Sequence, residues 1–245
     1  MESFVGRSAV GQRLPCPDHA DRPAVTTEFP IDLRGVSRSY RDDQPVLSDL
    51  DLQVATGEVV AVLGRSGTGK STLLRIIAGL DRGYVGRALL GGRSVQDLSD
   101  DQLSAYRAQS VGIIFQSFHL LDHLSAAENV DLGARFAPKT GVESTADLLA
   151  AVGLEGRGHE QPALMSGGER QRLAIARALR NQPEIILADE PTGNLDEETG
   201  RLVIDLLGEL GRGRGVASVW VTHEERLADA ADRVLILKNG KLEQR

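Results

Sequence analysis

Short apolar runs predict strands that are buried on both faces of a sheet. Val59 to Leu63 is rich in β-branched residues, and Ile185 to Ala188 is a second apolar run of strand length. Strands that helices cover on both sides lack the polar alternation of a half-exposed strand. A third strand is predicted from Val216 to Val221. Together these segments indicate the centre of a mainly parallel sheet.

Helical patterns separate these strands in the last third of the chain. Helices are predicted from Gly167 to Arg180 and from Glu197 to Leu210, and a hairpin is predicted to turn at Asn239-Gly240. Strands that alternate with helices are typical of α/β proteins. The predicted fold class is therefore α/β, and the carboxyl ends of the parallel strands are the expected place for a ligand.

The chain before the first buried strand has a different pattern. Ile31 to Tyr40 and Val46 to Val54 are rich in strand-forming residues, and the polar segment 41–45 between them has turn-forming composition. They predict antiparallel strands ahead of the parallel core. Residues 1–30 contain four prolines among small and polar residues and no sustained period. This segment is interpreted as a flexible extension.

The middle of the chain, from Asp100 to about Gly158, is predicted to be mostly helical around one strand, Val111 to Gln116. Ser125 and Glu128 have the spacing of a capping box at the start of a helix. We therefore expect a helical subdomain at about 100–165 inside a domain that spans 31–245.

Composition argues against several classes of protein. No apolar run approaches the roughly 18 to 20 residues of a membrane-spanning helix, so the chain is not expected to cross a bilayer alone. The net charge is −7, whereas nucleic acid binding favours a basic surface. The single cysteine, Cys16, allows no disulfide within the chain, which is consistent with a reducing cytosol, and the first residues show no secretory signal. His119 and His123 lack the further ligands of a metal site.

A glycine-rich segment directly after the first buried strand carries the clearest chemical signal. It fits the phosphate-loop pattern G-x-x-x-x-G-K-[ST] between a predicted strand and a predicted helix. Backbone N–H groups and the helix N-terminus would hold phosphates, the lysine would add a positive charge, and the serine would reach Mg²⁺. A glycine-rich turn without a ligand is the alternative, and the strand-loop-helix context disfavours it. The candidate nucleotide-binding residues are Gly64, Arg65, Ser66, Gly67, Thr68, Gly69, Lys70, Ser71 and Thr72.

Two carboxylates end the strand that begins at Ile185. Phosphoryl transfer needs one acidic group on Mg²⁺ and one beside the attacking water. Asp189 is predicted to be the metal carboxylate and Glu190 the general base. An acidic strand end alone is more often a solvated terminus, and the phosphate loop is what favours catalysis here.

The segment Met165-Ser166-Gly167-Gly168-Glu169-Arg170-Gln171-Arg172 closely resembles the signature motif of ABC ATPases. Ser166 and Glu169 also have capping-box spacing, and both interpretations are compatible, because a capped helix N-terminus can also receive an anion. Met165 and Glu169 replace the commoner leucine and glutamine of the family.

Further positions follow the order of motifs in that family. The resemblance implies that Tyr40 stacks on adenine, that Gln116 reaches Mg²⁺ and senses a membrane partner, and that His223 contacts the γ-phosphate. The resemblance places Asp196 in the loop that crosses the dimer interface. The alternatives are a core tyrosine for Tyr40 and a plain helix N-cap for Asp196. The nucleotide-binding residues implied beyond the phosphate loop are Tyr40, Ser166, Gly167, Gly168, Glu169 and Asp196; the catalytic ones are Glu190, His223, Lys70 and Gln116; the metal ligands are Ser71, Gln116 and Asp189.

The resemblance, which covers Ile31 to about Lys241, implies a fold and a mechanism. The fold would be that of a P-loop NTPase with a RecA-like sheet, an antiparallel β subdomain and a helical subdomain. Two copies would close head to tail around ATP and Mg²⁺ and drive separately encoded membrane permease subunits from the cytoplasmic face of the membrane. The stretches 115–121 and 127–130 are similar to ATPases of the lipoprotein-release, macrolide-export and cell-division branch. The alternative is an ABC-type ATPase that regulates cell-wall or cell-division machinery without transport.

Overall fold

The structure, a computed structural model, describes residues 28–41, 44–136 and 142–245. Most of the predicted extension, residues 1–27, lies outside this part of the chain, as do two residues of the predicted turn at 41–45. The strands are β1 (Ile31–Arg41), β2 (Gln44–Val54), β3 (Val59–Leu63), β4 (Val85–Leu90), β5 (Arg93–Ser94), β6 (Val111–Phe115), β7 (Ile185–Asp189), β8 (Ala217–Thr222), β9 (Arg233–Lys238) and β10 (Lys241–Gln244). The helices are α1 (Lys70–Ile77), α2 (Asp100–Ser110), α3 (Ala126–Phe136), α4 (Thr145–Ala151), α5 (Gly167–Leu179), α6 (Glu197–Gly213) and α7 (Glu225–Asp229).

Six strands form the central sheet in the order β10-β9-β3-β8-β7-β6. All neighbouring pairs are parallel except the terminal hairpin of β9 and β10. The parallel core predicted from the apolar runs is therefore confirmed, and the hairpin turns at Asn239 and Gly240 as expected. Because the strands run in the same direction, β3, β6, β7 and β8 end at one edge of the sheet.

The central strands β3, β7 and β8 are buried on both faces of the sheet, and their side chains alternate between two cores. Ile185 and Leu187 of β7 pack into one core, whereas Ile186 and Ala188 pack into the other. Successive side chains of a strand point to opposite faces, so a strand buried on both sides is apolar throughout. This alternation explains why the sequence showed continuous apolar runs rather than a polar and apolar pattern.

A second sheet of four antiparallel strands has the order β2-β1-β4-β5. The predicted pair β1 and β2 is confirmed, with Ile31 opposite Val54. β4 and β5 were not predicted. The first half of β4 is exposed and β5 has two residues, so neither has a clear hydrophobic pattern of its own. Pairing defines them, β4 with β1 and β5 with β4.

The helices of the middle region divide between the two cores. Leu103 and Tyr106 of α2 pack in the same core as the antiparallel sheet, whereas Val130 of α3 and Leu148 of α4 pack in the other. Within the described ranges, no helix is long and apolar enough to cross a membrane.

Candidate active site

The phosphate loop connects β3 to α1 at the carboxyl edge of the central sheet. Gly69 has φ of 105° and precedes the first helical residue, Lys70. A Cβ atom on Gly69 would lie 2.9 Å from Val46 Cγ1 and 3.0 Å from the Val46 carbonyl oxygen. Both the left-handed backbone and the close contact with β2 require glycine at this position. The loop is thus shaped by the antiparallel sheet as well as by its own sequence.

The Lys70 side chain is buried inside this loop. Its Nζ donates hydrogen bonds to the carbonyl oxygens of Gly64 at 2.7 Å and Arg65 at 3.2 Å. It also lies 3.4 Å from Glu190 Oε1. The ammonium group is therefore held among oxygen acceptors at the place where the loop is expected to receive phosphate.

The remaining loop residues hold its shape or face the neighbouring sheet. Thr68 Oγ1 donates to the carbonyl of Arg65 at 2.9 Å, and the Gly64 N–H donates to the carbonyl of Thr222 in β8 at 3.2 Å. Thr72 is buried, with Oγ1 3.4 Å from the Tyr40 hydroxyl. Ser66 and Gly67 are exposed at the tip of the loop.

Asp189 and Ser71 lie side by side, although 118 positions separate them in the chain. The Ser71 hydroxyl donates to Asp189 Oδ2 at 3.2 Å. Burial raises the pKa of the Asp189 carboxyl, with the Ser71 hydrogen bond opposing and the Glu190 charge adding to the shift. A cation beside this carboxylate would offset the cost of burying its charge. The pair offers two adjacent oxygen ligands, the kind that Mg²⁺ prefers.

Glu190 lies at the centre of the site and has an unusual backbone conformation. Its φ is 46°, in the left-handed region that residues other than glycine seldom adopt. Its N–H donates to the carbonyl of Val221 in β8 at 2.9 Å, which holds this turn in place. Its carboxylate lies between Lys70 and His223, with 2.5 Å from Oε2 to His223 Nδ1. Strained backbone of this kind is concentrated at functional sites.

Gln116, at the end of β6, contacts a different neighbour from the one expected. Its Nε2 donates to Asn194 Oδ1 at 3.4 Å, and Asn194 Nδ2 donates to the Gln116 carbonyl at 2.9 Å. A Cβ atom on Gly193 would lie 2.7 Å from Gln116 Nε2. In this state the glutamine therefore binds the loop that leads to Asp196, and its contact with a metal remains a prediction.

The part-buried Arg177 and the buried Asn129 fix the loop that follows Gln116. Phe118 and His119 both have positive φ, 59° and 50°. Arg177 of α5 donates to the Phe118 carbonyl at 2.7 Å and also to the His119 carbonyl. Further along, the fully buried Asn129 accepts from the Leu121 N–H at 2.8 Å and donates to the Leu121 carbonyl at 3.0 Å. Sequence reasoning missed Arg177, because nothing local distinguishes it from the other arginines of α5.

The signature segment forms the N-terminus of α5. Ser166 is the N-cap, and it exchanges both capping-box hydrogen bonds with Glu169. Gly168 packs against α6, where a Cβ atom would lie 2.2 Å from Thr199 Cγ2, and Gly167 faces Leu195. Asp196 caps α6 by accepting from the Thr199 N–H at 3.0 Å. Across the described chain, no hydrogen bond or ion pair joins residues 166–169 to the phosphate loop.

Tyr40 borders a cavity of 610 Å³ beside the phosphate loop. The Arg38 guanidinium carbon lies 4.3 Å from the centre of the tyrosine ring, and the Tyr40 hydroxyl donates to Asp81 Oδ2 at 2.9 Å. Residues i and i+2 of a strand share one face, so the spacing of Arg38 and Tyr40 is the sequence signal for this contact, which the motif search missed. The cavity is lined by Tyr40, Arg41, Gln44, Pro45, Val46, Gly67, Thr68, Asn239 and Gly240.

Comparison with known proteins agrees with this geometry. The profile of the ABC transporter family matches residues 47–193. The lipoprotein-releasing system ATP-binding protein LolD of Shewanella sp. (strain MR-7) is 46% identical over 87% of this chain and 95% of its own. The macrolide export ATP-binding/permease protein MacB of Sodalis glossinidius is 45% identical over 86% of this chain, which corresponds to 33% of MacB.

Solved structures show the same fold. A dimeric ATP-binding cassette in a post-hydrolysis state with ADP and Pi has a TM-score of 0.78 and 37% identity, covering 87% of this chain and 97% of that one. The chain belongs to the ABC transporter family and is one of its ATP-binding, ATP-hydrolysing proteins. Its relatives lie in the branch that the stretches 115–121 and 127–130 indicated.

Proposed function

We propose that this chain powers a lipoprotein-release or export system, as an ATP-dependent homodimer attached to separately encoded membrane subunits. The observation that carries the proposal is the division of the site. Five candidate residues lie together at one edge of the sheet: Lys70, Ser71, Asp189, Glu190 and His223. Within the described chain, the signature segment makes no hydrogen bond or ion pair to them. A second copy, arranged head to tail, supplies that segment to the first.

Mg²⁺ fits the oxygen pair of Ser71 and Asp189, and Gln116 is the third proposed ligand. When bound with ATP, the ion neutralises negative charge on the phosphates. The 3.2 Å hydrogen bond between Ser71 and Asp189 keeps both oxygens at the mouth of the phosphate loop. Asp189 is therefore assigned to the metal and Glu190 to the water.

Hydrolysis proceeds by in-line attack of a water molecule that Glu190 orients. Lys70 and His223 both contact the Glu190 carboxylate in this structure, which supports a role for all three groups around the transferring phosphoryl group. Lys70 stabilises negative charge there, and His223 contacts the γ-phosphate. Tyr40 stacks on adenine at the rim of the 610 Å³ cavity.

ATP closes the dimer, and hydrolysis reopens it. The signature segment of one copy, Ser166 to Glu169, contacts the γ-phosphate held by the other, together with the loop that contains Asp196. ATP and ADP thus differ in affinity for the closed state, which is the difference that a ligand-driven switch requires. Gln116 and the helices that follow it, the proposed subdomain at about 100–165, transmit this motion to the membrane subunits on the cytoplasmic face.

Purification from solubilised membranes tests this proposal. The tagged chain should bring down an integral membrane protein, and the complex should release phosphate from ATP faster than the chain alone. A Glu190→Gln complex, purified in parallel, is the control for contaminating ATPases. Co-purification with a cell-wall enzyme or its regulator, without a transported substrate, would favour the non-transport alternative instead.

A further inference from the structure

One arginine outside the known motifs binds the signature segment directly. Arg157 lies in the loop after α4. Its Nη1 donates to Glu169 Oε1 at 2.8 Å, and its Nη2 donates to Glu160 Oε2 at 2.6 Å. Its Nε also donates to Glu160 Oε1. The planar guanidinium thus holds two carboxylates from different segments at once, which a lysine cannot do with the same geometry.

The two carboxylate oxygens of Glu169 accept hydrogen bonds from different partners. Oε2 accepts the Ser166 N–H at 2.8 Å, while Oε1 accepts from Arg157. These hydrogen bonds, first the one from the Ser166 backbone and then the one from Arg157, lower the pKa of the Glu169 carboxyl. The carboxylate that caps the signature helix is therefore fixed on both sides.

The backbone of the same loop, residues 158–160, contacts α3. The carbonyl oxygens of Gly158 and Glu160 accept the N–H groups of Ala127 at 2.9 Å and Ala126 at 2.7 Å. These are among the first N–H groups of α3, which have no partner within the helix. Because α3 follows the loop that starts at Gln116, residues 157–160 connect the start of α3 to the start of α5.

We propose that Arg157 is a positioning residue for the signature segment, which fixes Ser166 through Glu169 in the orientation that meets the nucleotide of a partner subunit. This inference rests on the paired site of the proposed function. Without Arg157, Glu169 can still cap α5, but the cap is no longer attached to the loop that holds α3. The cost then falls on closure of the dimer and not on binding of nucleotide to the chain's own phosphate loop.

The test uses the full chain with Glu190→Gln, in which closed dimers are expected to accumulate with ATP. Arg157→Met, Glu169→Gln and the double variant are added to it, and dimer formation is followed by size-exclusion chromatography with light scattering. Binding of ADP reports on the chain's own phosphate loop. Arg82→Met is the matched control, because Arg82 also pairs with a carboxylate, Asp100, at the start of a helix.

Arg157→Met should weaken ATP-dependent dimerisation about tenfold, as expected for the loss of a part-buried charged hydrogen bond, and change ADP affinity less than about twofold. Arg157→Lys should restore part of the loss, and Arg82→Met should have no effect. In the Glu169→Gln chain, which retains a capping side chain, Arg157→Met should add less than about a twofold further change.

Three results would overturn the inference. The first is that Arg157→Met leaves dimerisation unchanged. The second is that it weakens dimerisation as much in the Glu169→Gln chain as in the chain with Glu169. The third is that it lowers ADP affinity as much as dimerisation, which would indicate that Arg157 only stabilises the fold. If Glu190→Gln stays monomeric while holding ATP, both alone and with the membrane partner, the paired site itself fails and the inference fails with it. The behaviour of the Glu190→Gln chain therefore distinguishes failure of the paired site from failure of the Arg157 proposal alone.

Discussion

Lys70 is identified by the phosphate-loop motif, and the structure shows which groups surround its charge. Its side chain is 6% exposed and its charge is held by two carbonyls and Glu190. We predict that Lys70→Met abolishes tight ATP binding and phosphate release, because an apolar end cannot compensate phosphate charge. Binding of a fluorescent ATP analogue and a phosphate-release assay measure this. Lys241→Met, at an exposed position of β10, is the control, and normal hydrolysis by Lys70→Met would refute the role.

Gly69 and Gly67 of the phosphate loop differ in how closely neighbouring atoms pack against them. Both have positive φ, 105° and 80°, but a Cβ atom meets Val46 only at Gly69, whereas nothing lies within 4 Å at Gly67. We predict that Gly69→Ala lowers the free energy of unfolding by at least about 1 kcal/mol more than Gly67→Ala, because it adds a steric clash to a similar backbone strain. Urea denaturation of both variants tests this, and equal losses would contradict it.

At the scale of elements, the sequence was informative where an element carries its own pattern. β3 begins and ends where the apolar run does, and α5 begins at the glycine after its predicted serine cap. β4 and β5 were missed because partners distant in the chain define them. The same division applies to the site. Motif residues were found, whereas Arg157 and Arg177 were not, because Glu169 and the carbonyls of Phe118 and His119 come from other segments and no local spacing indicates these contacts.

Arg177 provides a test of how one helix holds a loop. It donates to the carbonyls of Phe118 and His119, whose positive φ angles make other conformations preferable. We predict that Arg177→Met increases hydrogen exchange at residues 116–121 by about tenfold. The loop opens more easily in this variant because opening no longer breaks the hydrogen bonds from Arg177. Arg180→Met is the matched control, since Arg180 follows α5 but binds Asp131 and the Glu143 carbonyl instead. Equal exchange in the two variants would contradict a specific clamp.

At the scale of the whole molecule, the proposed extension and domain can be separated at a defined boundary. The Glu28 carbonyl accepts the Thr56 N–H at 3.2 Å, and the Pro30 carbonyl accepts the Gly91 N–H at 2.9 Å. We predict that removal of residues 1–27 changes ATPase activity by no more than about threefold, because composition assigns no core to that segment. Removal of residues 1–30 should lower the melting temperature, because both hydrogen bonds are lost. Insoluble protein from the shorter deletion would show that the segment is structural.

The proposed site, shared between two copies of the chain, makes a prediction that must be tested on the dimer. Asp189 contacts Ser71, and in the proposed mechanism it holds the metal while Glu190 orients the water. We therefore predict that Glu190→Gln binds ATP, hydrolyses it at least about 100-fold more slowly, and remains a closed dimer. Adding Ser166→Arg should return this chain to a monomer that still binds ATP, because its bulk and charge obstruct the partner's γ-phosphate contact. Size-exclusion chromatography with ATP compares the two, and Ser144→Arg, at the N-cap of α4, controls for loss of a serine cap. A monomeric Glu190→Gln chain that demonstrably holds ATP would refute closure by the isolated chain, and repeating the measurement with the membrane partner would then decide whether the partner is needed for closure.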